Sequence, residues 1–362
     1  MRMGRTFILV ILLSGVAGVG WRLLYMLETG ASDQASPQQV VINRGESVSA
    51  VARRLEGFNI IRSRFLLKIA NRIWGRKRTI KAGEYELSPS MSPHAILDTL
   101  VARKVKLHTV VIPEGLRATE IGALLEAKGI VNAAEFAAET VGTSAIGKKL
   151  GMPENNMEGY LFPETYALEK GQRVEDILRT MVEEFNDHFQ EDWQKRAAEM
   201  GMSIQEAVTL ASLIEKETGD PAERPWIASV FHNRLRNGMK LQCDPTVIYG
   251  IANFDGNITR KDLLKPHPWN TYVIGGLPPT PIANPGAESL RAALWPADTD
   301  YLYFVSRNDG THLFSETYAA HARAVRRFQK GEQVDFVTTA KRSGTPAQKG
   351  KYLRGSKRAR IR

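Results

Sequence analysis

The chain has 362 residues, 43% of them apolar: too long for one ordinary domain, and apolar enough to exclude a wholly disordered protein. The net charge of +10 looks like a nucleic-acid signal, but nine Lys or Arg and no acid lie between Lys341 and Arg362. The remainder carries only 10 − 9 = +1, which argues against a nucleic-acid-binding body. The single cysteine, Cys243, excludes an internal disulfide and a cysteine-based metal site.

"MRMGR" is basic, and "TFILVILLSGVAGVGW" (Thr6–Trp21) is uncharged and mostly apolar. The run is about one residue short of the usual minimum for a spanning helix. It reads as an uncleaved anchor over 6–24 or as a cleaved signal peptide. Arg22 and the further apolar "LLYML" weigh for the anchor. Positive-inside then leaves residues 1–5 in the cytoplasm and everything after Leu24 outside it.

Residues 25–39 read as a polar linker. From Val40 the pattern is strand, glycine turn and helix, with Ser47 as the cap and Val48, Val51, Ala52 and Leu55 on one face. A second helix ("SRFLLKIANRIW"), a strand ("IKAGEYELSPSM") and a capped helix ("SPHAILDTLVARK") complete a small α+β module, 40–106. Its order resembles LysM-type glycan-binding modules.

A larger mixed α+β domain is expected over 107–335, followed by a basic tail, 336–362. Val110–Ile112 reads as a strand, and "LRATEIGALLEAKG" and "NAAEFAAETV" as helices. "EGYLFPETYAL" reads as strand and loop, and 174–201 as one long amphipathic helical region. "SIQEAVTLASLIEKET" is a helix capped by Ser203, "ERPWIASVFHNRLRNG" another. "DYLYFVSRNDGTHLFS" is a hairpin turning at "NDG".

No Walker loop, G-x-G-x-x-G or G-x-S-x-G occurs, so no nucleotide cofactor or hydrolase elbow is expected. His312 and His321 are the nearest pair that could start a metal site in the last third, and nothing beside them completes one. Carboxylates remain, and "ASLIEKETGD" is the sharpest place to look. At 100° per residue, Leu210, Leu213, Ile214 and Glu217 form one stripe, and Val208, Ala211, Ser212 and Glu215 another. Glu215 and Glu217 are about 200° apart, so they cannot flank one bond together. Glu217 sits in the last turn beside a Gly-Asp-Pro loop. Apolar neighbours and the negative end of the helix would keep its carboxyl protonated near neutrality, as a general acid requires. The residues alone leave open an exposed helix-end glutamate or one paired with an arginine.

"ASLIEKETGDPAERPWIASVFHNRLRNGMKLQCDPTVIYG" resembles the signature of the MltG (YceG-like) family of membrane-anchored endolytic murein transglycosylases. "EGYLFPETY", "NTYVIGGLPPTPIANPG" and "YLYFV" with a following "HLF" fit in the same order, over roughly 41–330. Cys243 departs from the family, where a small hydroxyl residue is usual. The resemblance implies cleavage of the MurNAc-β-1,4-GlcNAc bond of peptidoglycan strands to 1,6-anhydroMurNAc ends, without a cofactor. It implies a single glutamate, here Glu217, acting first as acid and then as base. That would explain the lack of a catalytic twin at hydrolase spacing. It further implies location at the inner membrane, peptidoglycan synthases as partners, and termination of nascent strands.

Candidate glycan contacts are Gln242, Asp244, Thr246, Tyr249, Asn270, Thr271 and Tyr272, whose amides, hydroxyls and rings suit sugar. Each is equally a loop-structuring type. Glu164, Thr218 and Glu223 are candidate supporting residues around Glu217, whereas Glu215 reads as structural, bonded to Arg224 or Arg234. The alternative is a non-catalytic, membrane-anchored peptidoglycan-binding scaffold.

Overall fold

The computed structural model describes residues 2–33, 36–74, 79–141, 144–153 and 156–332, with side chains described from residue 13 onward. The basic tail and the side chains of residues 6–12 in the expected anchor lie outside these. The described chain forms two units, Met1–Lys195 with Thr280–Gly286, and Arg196–Pro279 with the residues from Ala287 onward.

The first unit opens with α1 (Arg2–Glu28). The helix continues through 25–28, where a linker was expected. Leu23, Met26 and Leu27 recur at helical spacing and pack on the core that follows, Leu27 fully buried. Among the described residues no helix is long and apolar enough to cross a membrane. Leu13, Val16, Val19, Trp21, Leu24 and Tyr25 of α1 are exposed.

Next come β1 (Gln38–Ile42), α2 (Val48–Gly57), α3 (Arg64–Ile73), β2 (Gly83–Leu87) and α4 (Pro93–Val101). β1 and β2 pair antiparallel, Val40 opposite Tyr85. A two-stranded ribbon is marginal alone. It is held by a core of Val51, Ala52 and Leu55 from α2, Leu66, Leu67 and Ala70 from α3, and Ile96, Leu97 and Leu100 from α4. Each large aliphatic side chain there stabilises the module by about 1.5–3 kcal/mol. The helix starts follow the expected serines: Ser47 accepts the Ala50 N–H, and Ser92 the Ala95 N–H.

A separate core is built by β3 (His108–Val111), α5 (Ala118–Ala127), α6 (Ala133–Thr140), α7 (Ala145–Lys149), β4 (Thr165–Leu168) and α8 (Val174–His188). β3 and β4 pair antiparallel, Val110 opposite Tyr166. The expected break at 106/107 thus falls between two cores of one unit. The loop 280–286 belongs here too. Asn284, fully buried, accepts the N–H groups of Gly159 and Leu161 and donates to the Leu116 carbonyl and to Glu158. Four bonds to one amide side chain fix a loop with no regular structure.

The long helix expected over 174–201 is two helices, α8 and α9 (Glu191–Glu199). Phe189 leaves the helical backbone at φ −92°, ψ 64° to bury its ring against Phe185 and Trp193. Tertiary packing overrides the continuous amphipathic period at that residue.

The second unit contains α10 (Ile204–Glu217), α11 (Arg224–Arg236), α12 (Asp244–Tyr249), α13 (Arg260–Leu264), α14 (Ala287–Leu294), β5 (Tyr303–Ser306), β6 (His312–Ser315) and α15 (Tyr318–Lys330). β5 and β6 form the expected hairpin, Phe304 opposite Phe314, with Asn308 and Gly310 supplying the positive φ that the "NDG" turn needs. α10 packs against α11, α12 and α14.

Candidate active site

α10 starts with a capping box: Ser203 Oγ accepts the Glu206 N–H, and Glu206 Oε2 accepts the Ser203 N–H at 2.8 Å. Ala207 to Ile214 are all buried, so the helix is enclosed on every side rather than along one stripe. Its last turn meets polar surroundings. There the two glutamates separate, as helical geometry requires. Glu215 turns to Arg224 at the start of α11, Nη2 to Oε1 at 3.0 Å, with both side chains under one tenth exposed.

Glu217 goes the other way and keeps part of its surface accessible. Burial among protein atoms is the chief cause that pushes its carboxyl from the ordinary glutamate value up to about 7. The nearby Asp244 charge acts in the same direction. A hydrogen bond from the Cys243 thiol and the positive charges of His312 and Arg234 oppose it. An acid poised near neutrality can both give and take a proton.

The chain leaves α10 at Thr218 (φ −140°, ψ 141°). Thr218 is buried, and its hydroxyl accepts the Asp220 N–H at 3.0 Å and lies 3.5 Å from Glu223 Oε2. Asp220 in turn caps the turn Pro221–Glu223. Glu223 is 5% exposed and holds His312 twice: Oε1 accepts the backbone N–H at 2.8 Å, and Oε2 lies 2.7 Å from Nδ1.

Cys243 precedes α12 and is buried. Its N–H donates to Thr271 Oγ1 at 2.9 Å, and its carbonyl accepts the Thr246 hydroxyl at 2.6 Å. Thr246 and Thr271, both fully buried, also touch each other at 2.8 Å. Burial drives the Cys243 thiol well above its usual range, so it stays protonated and faces Glu217 as a donor.

Asn270 is 2% exposed. Its Nδ2 reaches the carbonyls of Asp262, Leu263 and Lys265, and its Oδ1 accepts the Tyr272 N–H. The polar groups of Thr246, Asn270 and Thr271 are therefore spent on the protein, which gives these three a loop-fastening role.

Gln242, Asp244, Tyr249 and Tyr272 keep accessible surface. Gln242 carries φ +50°, a left-handed backbone that costs a non-glycine residue on the order of 1 kcal/mol or more. Its N–H is held by the Thr271 carbonyl. The Tyr272 hydroxyl donates to Asp244 Oδ1 at 2.5 Å. Burial, then that carboxylate, keeps the phenol protonated far above neutrality. Tyr249 packs at 5.6 Å on Trp269, itself 5.3 Å from His267. Gly250 permits this cluster, since a Cβ there would lie 2.5 Å from the His267 ring.

Of the candidates named from sequence, only Glu164 belongs to the first unit; it is exposed and accepts the Thr165 N–H. Arg234 donates to the carbonyls of Leu302 and Leu241 rather than to an acid. His312, weighed from sequence only as a metal ligand or a motif position, is brought to Glu223 by strand β6, 89 residues along the chain. No local spacing could have shown it. Trp269 was missed for the same reason. Among the described residues, no three of His, Cys, Asp and Glu converge as a metal site.

The YceG-like family model matches residues 40–327. The endolytic murein transglycosylase of Bacillus subtilis (strain 168) is 33% identical over 332 residues, 86% of this chain and 91% of that protein. That of Streptococcus pneumoniae (strain D39) is 25% identical over 335 residues, 83% of this chain and 60% of that protein. The crystal structure of the yceG-like protein lmo1499 from Listeria monocytogenes aligns with a TM-score of 0.53 at 31% identity, over 80% of this chain and 100% of that one. The matched segment takes in Glu217 and all the residues gathered around it: the chain belongs to the YceG-like family.

Proposed function

We propose that this protein is an endolytic peptidoglycan transglycosylase with Glu217 as its one acid–base group. The observation that carries the reading is a partly accessible carboxyl at a buried helix end, held near pH 7. The names of the Bacillus and Streptococcus relatives support the reaction class. Protonated Glu217 gives its proton to the oxygen joining MurNAc C1 to GlcNAc. As that bond breaks, the MurNAc C6 hydroxyl attacks C1, and the Glu217 carboxylate takes the hydroxyl proton. The products are a 1,6-anhydroMurNAc end and a free GlcNAc hydroxyl, and Glu217 ends protonated as it began. No water enters, so no second carboxylate is needed at hydrolase spacing.

Asp244 and Tyr272 form the polar wall beside Glu217, and the Tyr249–Trp269 pair offers rings for sugar faces. Gln242 is exposed, and its left-handed backbone carries a cost that glycan binding would justify. The β1–α2–α3–β2 order supports a LysM-like glycan-binding role for the N-terminal module. The exposed apolar side chains of α1 support an anchor in the inner membrane, with the enzyme outside the cytoplasm and beside peptidoglycan synthases.

The pH dependence of glycan cleavage tests the reading. A general acid titrating near 7 predicts kcat/KM falling about tenfold per unit above pH 7. A flat profile from pH 6 to 9 would remove Glu217 as the titrating acid, and no product from peptidoglycan sacculi at any pH would leave a binding scaffold instead.

A further inference from the structure

Glu223, buried, and His312, partly buried, form an acid–base pair that the single-glutamate reaction does not call for. A charged residue 5% exposed is costly unless it does something that an apolar side chain could not. Each Glu223 oxygen meets His312, one through its backbone N–H and the other through Nδ1. This grip fixes the ring orientation and puts the Nδ1 proton toward the carboxylate. The pair sits beside the acid, because Thr218, directly after Glu217, touches Glu223 Oε2 through its hydroxyl. Phe304 meets the His312 ring edge-to-face at 5.5 Å and limits its movement further.

We propose that Glu223 and His312 are positioning residues: the carboxylate holds the imidazole beside Glu217, where its positive charge stabilises the Glu217 carboxylate formed once the proton has left. A buried carboxylate with no cation nearby would be a poor product of proton donation. Arg234 supplies a second positive charge from α11, while Asp244 from α12 opposes both; the Cys243 thiol and the Tyr272 phenol also act on Glu217 or are acted on by it. The inference rests on Glu217 being the acid, but not on the identity of the glycan product.

The test uses the full chain with 13C-labelled glutamate carboxyls. Glu217 is assigned by the resonance missing from Glu217→Gln. His312→Asn places an amide N–H near the Nδ1 position, so the bond to Glu223 and the melting temperature should be kept. The Glu217 midpoint should rise by about half a unit to one unit, and the alkaline limb of cleavage with it. An unchanged midpoint in His312→Asn overturns the proposal. So does an unmoved midpoint in His312→Gln, a second variant that removes the ring and keeps an amide. A raised Glu217 midpoint in His312→Asn without glycan cleavage by the wild type would uphold the pair and sink the transglycosylase reading; cleavage with an unmoved midpoint would do the reverse.

Discussion

Glu217→Gln should lower glycan cleavage by about 10²- to 10⁴-fold, the range that one general acid–base group contributes. Glutamine keeps the shape and much of the hydrogen bonding of the acid but has no proton to give. The same change should stabilise the fold at alkaline pH. The folded protein holds the Glu217 proton up to about pH 7, whereas the unfolded chain releases it near the ordinary glutamate value. The folded state is therefore favoured below that ordinary value, and the advantage is lost as pH rises through about 7. Glutamine does not titrate and loses nothing across this window. Above pH 8 the variant should gain on the order of 2–3 kcal/mol relative to its difference from wild type at pH 4.5. Urea unfolding at the two pH values measures this. Equal differences at both would mean that Glu217 is not held in the environment described.

Glu215→Ala should do the opposite. The Glu215–Arg224 pair is buried on both sides, and removing one partner of such a pair costs about 3–5 kcal/mol because a charge is left behind in a low-dielectric site. The urea midpoint should fall sharply, while the rate per folded molecule stays within a few-fold of wild type. Loss of activity in fully folded Glu215→Ala would show that the two glutamates act together, against the helical geometry. The two substitutions thus separate neighbours two positions apart into a stability residue and a chemical one.

Local physics made much of this legible in the sequence. The Ser47, Ser92 and Ser203 caps, the "NDG" hairpin turn and the divergence of Glu215 from Glu217 depend on residues at most a few positions apart, and all are present in the structure. What local pattern could not supply was anything set by distant packing. Phe189 breaks a helix that its own periodicity would have continued, because its ring has partners in Phe185 and Trp193. Thr246, Asn270 and Thr271 carry sugar-binding groups, yet they are buried and turn them toward the protein. Nothing in "CDPT" or "NTY" distinguishes a hydroxyl facing glycan from one fastening a loop. The His312–Glu223 contact joins a strand to a turn far earlier in the chain, so its two halves read separately as a metal candidate and a spare acid. The Glu217 stripe was visible as a position, but its chemistry depends on Cys243, Asp244, Arg234 and His312, which arrive from other elements.

In the proposed reaction one carboxyl suffices, because the glycan's own C6 hydroxyl takes the place of water. The most direct measurement is the mass of muropeptides released from purified sacculi by the wild-type protein. The wild type should release 1,6-anhydroMurNAc ends, each lighter by one water than the hydrolysed product, and Glu217→Gln none of these. Reducing MurNAc ends from the wild type would contradict it, because water would then be the nucleophile and a second catalytic group would be required.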